Sequence, residues 1–109
     1  MKGQGGGGGM GDLVRQAQQA QKNLAKVQED LRGRVVEGRA GGGAVTAFVN
    51  GQQELVKITI KPEVVDPSDV AMLEDLVAAA VRQGVEESKK MMQAEMSRAM
   101  GGLRVPGLF

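Results

Sequence analysis

Few side chains in this sequence can do covalent chemistry. There is no Cys, His, Tyr or Trp. The hydroxyls are Ser68, Ser88, Ser97, Thr46 and Thr59, and none has a base at a motif spacing. Glu74-Asp75 and Glu86-Glu87 are adjacent carboxylates in a helix-like stretch. Neighbours on a helix point about 100° apart, so these pairs cannot share an acid/base site and read as solvated faces. Met92, Met96 and Met100 step by four, with Met91 alongside. Thioethers could hold a soft metal, but without Cys or His to join them they read as adaptable packing at a helix or subunit contact. The glycines from Gly3 to Gly11 lack the preceding strand and the GK[ST] ending of a phosphate loop, and read as a flexible tail. The expectation is a protein with no catalytic residues, metal, cofactor or small-molecule substrate.

Cations remain. One stretch carries Arg15, Lys22, Lys26 and Arg32, offset by Asp12, Glu29 and Asp30. Lys22 and Lys26 are four apart, so on a helix they share a face and stay available to an external anion. A second stretch carries Arg82, Lys89, Lys90 and Arg98 beside Glu86, Glu87 and Glu95, where Glu86 can pair internally with Lys89 or Lys90. The formal net charge of +1 neither demands nor excludes a nucleic-acid partner. No aromatics interleave with the cations, which disfavours single-strand stacking, and no zinc-finger, RNP or helix-turn-helix pattern is present. On charge alone, solvated helix faces outweigh DNA contacts.

The elements that would position these cations are legible. A length of 109 residues allows one domain, and with 17 Gly and two aromatics, Phe48 and Phe109, its core is small. Without Cys or His to staple or metallate it, oligomerisation is the expected remedy. Residues 1–11 are expected to form a disordered tail. Asp12 is a candidate N-cap for a helix over 12–32 ended by Gly33. Within it Leu13, Ala17, Ala20, Leu24, Val27 and Leu31 follow steps of four and three, a heptad seam. Strands are expected over 34–40, 44–50 and 54–61, with Gly41-Gly42-Gly43 as an undemanding connection. Asn50-Gly51 suggests a two-residue type I′ hairpin. That turn sets Val49 against Gln52 and Val45 against Val56. One sheet face would then carry Val45, Ala47, Val49, Val56, Ile58 and Ile60, and a wetter one Thr46, Phe48, Leu55, Lys57 and Thr59.

After a loop bounded by Pro62 and Pro67, Ser68 or Asp69 caps a last helix running to about Ala99, with Gly101-Gly102 as its stop. Its length of roughly 45 Å exceeds what such a domain needs, so it would project or meet a partner subunit. Residues 103–109 read as a flexible apolar tail. No run is long and apolar enough to span a membrane, the start does not read as a signal peptide, and the lack of Cys suits a reducing cytoplasm.

Three stretches together resemble the YbaB/EbfC family of nucleoid-associated proteins: Val45-Thr46-Ala47-Phe48-Val49 with Asn50-Gly51; Val56-Lys57-Ile58-Thr59-Ile60 with the Pro62 loop; and Met72 to Ala80. The ending Val105-Pro106-Gly107-Leu108-Phe109 is similar too. The glycine-rich start and the 41–43 connection depart from a typical member. The resemblance spans 12–100 as one α+β domain: an N-terminal helix, a three-stranded antiparallel sheet and a long C-terminal helix. It implies a homodimer joined through its sheets with projecting helical arms. It also implies double-stranded DNA binding of low sequence preference in the cytoplasmic nucleoid, influence on gene expression, and no enzymatic activity. The family has no short contact motif to carry over, so the DNA-binding candidates are the exposed cations of the arms: Arg15, Lys22, Lys26, Lys89, Lys90 and Arg98. The rival reading is a protein-interaction adaptor using the helix seams and the C-terminal tail.

Overall fold

A computed structural model describes residues 4–99, and the side chains of 9–99. The chain runs α1 (Gln4–Arg32), β1 (Val35–Ala40), β2 (Val45–Asn50), β3 (Leu55–Ile60), a 3₁₀ turn (Pro62–Val64) and α2 (Val70–Ala99). The strands form an antiparallel meander in the order β1-β2-β3. This is the expected α+β arrangement, with strand ends within a residue or so of expectation. The Met100 step of the methionine series, the Gly101-Gly102 stop and the 103–109 tail lie outside the described residues.

The first helix differs from expectation at its start. It begins at Gln4, so glycines 5–9 lie in its first turns, and Asp12 is not a cap. Asp12 instead sits inside the helix, in an i,i+3 ion pair with Arg15 at 3.6 Å. The longer helix extends the heptad seam backward to Met10, three residues before Leu13, which sequence periodicity starting at Asp12 had left out.

The hairpin also differs, and two departures offset each other. Gly51 does not take the positive φ that a type I′ turn requires. The loop is three residues, Gly51 to Gln53, with Gln53 at φ 63°. It is closed by Asn50 N donating to Glu54 O at 2.9 Å. The Asn50 side chain secures it: Oδ1 accepts from Gln52 N at 2.9 Å and from Glu54 N at 3.1 Å. A three-residue slip alone would turn β3 inside out, since side chains alternate with period two. A bulge at Phe48/Val49 adds one more residue, so the total shift is even. Val45 pairs with Ile60 and Ala47 with Ile58, on the expected face but four residues from the expected register. Past the bulge, Leu55 opposes Val49 instead of lining the wetter face.

Helix α2 packs on β1 and β2 and leaves β3 largely uncovered. The core is Val45, Ala47 and Ala80, with Ala40, Ile58, Leu76 and Val77 around it. Close approach of α2 depends on two glycines facing each other. A Cβ on Gly38 of β1 would fall 2.1 Å from Ala80 O and 2.2 Å from Gly84 N. Because α2 stops short of β3, Val56 and Ile60, expected under cover, are 58% and 39% exposed. The β1–β2 connection is more demanding than expected: Gly41, Gly42 and Gly43 all have positive φ, at 65°, 68° and 94°. L side chains rarely adopt that backbone.

The β2–β3 loop joins both helices to the sheet. Gly51 N donates to Leu31 O (2.8 Å) and Arg34 O (3.0 Å), and a Cβ there would meet Leu31 O at 2.6 Å. Leu31, the last residue of the seam, is 1% exposed. On the other side Ser88 of α2 is fully buried. Its hydroxyl donates to Asn50 O and accepts from Gln53 N at 3.2 Å. Met92 and Met96 line the same hollow beside Leu31 and Gln28, as packing residues. Asp69, not Ser68, caps α2, its Oδ1 accepting from Met72 N at 3.2 Å. Ser68 instead donates to Asp66 Oδ1 through N (3.0 Å) and Oγ (2.7 Å), which lowers the Asp66 pKa.

Candidate nucleic-acid interface

Helix α1 is anchored at Leu31 and projects from the sheet, contributing to a molecule 83 Å in its longest extent. Its polarity is set by heptad phase. At about 100° per residue, Arg15, Lys22 and Lys26 fall within an arc of roughly 40°, on the side facing away from the apolar seam. Eleven residues separate Arg15 from Lys26, a span of roughly 16 Å along the axis. All three are exposed. Lys22 and Lys26 have no ion-pair partner among the described residues. The Arg15–Asp12 pair is 80% and 65% exposed, too weak a surface contact to compete with a phosphate. Toward the foot of α1 the charge reverses: Asp30 is exposed, and Glu29 pairs with Arg32 at 3.4 Å.

The candidates on α2 are not brought together. Lys89 and Lys90 lie about 100° apart, and Lys89 and Arg98 about 180° apart. Lys90 pairs with Glu87 at 3.4 Å, in place of the expected Glu86 partner, and Arg98 pairs with Glu95 at 3.1 Å. Lys89 is exposed and without an ion-pair partner among the described residues. Arg82, seven residues earlier and also exposed, shares its face and was missed as a candidate, although the seven-residue spacing was the available signal. The expected wetter sheet face did hold both Phe48 and Lys57, and the observed register pairs them, with Lys57 Nζ 5.9 Å from the Phe48 ring centroid.

Glu95 is the electrostatic joint between the α1–β1 connection and the far end of α2. Its side chain is 17% exposed and accepts from Arg34 Nη1 at 2.6 Å. The Arg34 hydrogen bond, aided by the Arg98 charge and opposed by desolvation, holds its pKa below the usual glutamate value. A carboxyl depressed by folding adds stability above its unfolded pKa of about 4.3, and that stability is lost as pH falls through the lower folded value. Glu95→Gln is therefore expected to be less stable than wild type in urea unfolding at pH 7. The gap should narrow as pH falls below about 4. A gap unchanged at acid pH would show that the Glu95 charge is not what Gln loses.

Among the described residues no cluster of carboxylates could hold a metal ion, and no helix is long and apolar enough to cross a membrane. What the surface does offer is a projecting helix with a cationic stripe, suited to a run of phosphates.

Comparison with known proteins agrees. The YbaB/EbfC DNA-binding family matches residues 6–103. A protein of Acetivibrio thermocellus named "Nucleoid-associated protein" is 50% identical over 104 residues, covering 94% of this chain and 92% of its own. One from Caldanaerobacter subterraneus subsp. tengcongensis, also named nucleoid-associated, is 49% identical over 104 residues, covering 95% and 94%. In fold, the chain is similar to the crystal structure of an uncharacterized protein of Helicobacter pylori. The TM-score is 0.58 at 20% identity, over 68% of this chain and 86% of that one. The match over nearly the whole chain, on a fold of this order, identifies it as a member of the YbaB/EbfC DNA-binding family, a nucleoid-associated family and not an enzyme class.

Proposed function

We propose that the chain binds double-stranded DNA as a homodimer, with low sequence preference, and so organises the nucleoid and influences gene expression. The observation that carries this reading is the outward stripe of Arg15, Lys22 and Lys26 on α1. Cations spaced along a smooth helix surface, with no aromatic beside them among the described residues, match a regular phosphate array. Lys89, with Arg82 on its face, is a second contact region. Lys90 and Arg98 lie on other faces of α2, about 100° and 180° from Lys89, and contribute less. Binding of this kind falls steeply with salt, because each neutralised phosphate releases counterions. The test is retention of unrelated duplexes across a salt series. Sequence-dependent retention with a shallow salt response would contradict it.

The homodimer finds its support at β3. This edge strand leaves Leu55 50% and Val56 58% exposed beside unpaired backbone groups, a surface that an isolated chain leaves open to aggregation. A second copy covering it would complete the small core. Val56→Lys is expected to shift sedimentation from dimer to monomer while leaving the circular dichroism spectrum unchanged. An unaltered dimer would move the joint elsewhere.

A further inference from the structure

We infer that the outer half of the α1 seam is a second self-association surface, one that takes the α1 helix of another copy of this chain. Among the described residues the seam is covered by its own chain only near its foot. Leu31 is buried and Leu24 and Val27 are half-buried, whereas Met10 is 68% and Leu13 63% exposed, and Ala17 is exposed as well. This uncovered stretch keeps strict heptad spacing, which is what a lengthwise helix partner requires and what a compact groove ligand does not.

Charge identifies the partner. In a two-helix seam the residues flanking the apolar positions decide who pairs with whom. Here those flanks are Val14, Gln16, Gln21, Asn23 and Gln28, all uncharged, with Asp30 the first charge, at the foot. A basic or acidic partner helix finds nothing to pair with along this edge. An identical helix meets no like charge and can exchange amide hydrogen bonds. The cations lie on the far side of the helix, so pairing along the seam leaves them facing outward toward DNA.

Two or three apolar layers make a weak contact, since short isolated helices are marginal in water. Copies held on one duplex raise each other's local concentration and so strengthen a contact that already forms in free solution. Surfaces at two ends of one chain, β3 and outer α1, let assembly continue past a pair of subunits. The α1 contact does not depend on DNA.

The chain has no native cysteine, so one introduced thiol is a clean probe. Full-length Ala17→Cys is treated, without DNA, with a flexible bismaleimide reaching about 10 Å, one helix diameter. Gln18→Cys, on the adjacent and outward face, is the control. Ala17→Cys should give crosslinked dimer at roughly tenfold the yield of Gln18→Cys, as seam contacts require. The yield should persist when Val56→Lys is added, which separates this contact from the β3 joint. Equal yields overturn the inference. So does crosslinking that disappears with Val56→Lys. So does a thiol at 17 that reacts only after residues 103–109 are deleted, which would make the chain's own tail the occupant.

Discussion

Gly38→Ala is expected to cost at least about 3 kcal/mol of folding stability and to leave little native protein. The added methyl would lie 2.1 Å from Ala80 O, 2.2 Å from Gly84 N and 2.7 Å from Gly84 Cα. All three are backbone atoms of α2, so no side-chain rotation relieves the clash. The helix has to lift from β1, and with it the layer that covers Val45 and Ala47. Gly84→Ala should be milder, because its methyl meets the Val49 Cγ2 side-chain atom at 2.7 Å, and a side chain can shift. Gly11→Ala is the control. Nothing lies within 4 Å of it, and removing a helical glycine there should be neutral or stabilising by up to about 1 kcal/mol. Urea unfolding of the three variants gives the order. A Gly38→Ala protein within about 1 kcal/mol of wild type would mean that α2 does not sit directly on β1.

Lys22→Ala combined with Lys26→Ala should weaken duplex binding on the order of 10²-fold at low salt, equally for unrelated sequences. Each lost phosphate contact lowers the slope of log K against log salt by roughly 0.9, and a homodimer loses four. Both residues are exposed, so stability should be unaffected. Lys90→Ala removes one cation that shares no face of α2 with Lys89 and should change affinity several-fold less. Equal losses for the two sets would mean that α2 contributes as much as α1.

The contrast between these two sites marks what the sequence revealed. The 3.5 period placed α1 from Leu13 onward and alternation placed β2 and β3, because hydrophobic spacing records which faces are buried, while the cap at Asp69 placed the start of α2. The hairpin register was beyond reach. It turns on whether Gly51 takes a positive φ, and its glycine instead admits the backbone of Leu31, a residue twenty positions earlier. The exposure of Val56 and Ile60 was hidden for a similar reason: alternation shows that a face is apolar, not how far α2 reaches across it. The Gly38–Gly84 contact pairs residues far apart in sequence, and a lone glycine in a strand does not announce its partner. For the candidate interface, the i,i+4 spacing of Lys22 and Lys26 was enough to place both on one exposed face of α1, which is where the structure has them; their contact with DNA is the proposal. Lys89, Lys90 and Arg98 looked like a cluster in sequence but disperse around α2.

The central claim, duplex binding through phosphates along α1, is tested most directly by a gel shift of the wild-type protein on several unrelated duplexes across a salt series, run beside the Lys22→Ala, Lys26→Ala variant. The account predicts retention of every duplex, fading steeply with salt, and a shallower slope for the variant by roughly 0.9 for each phosphate contact removed. Wild-type and variant slopes that coincide would contradict it.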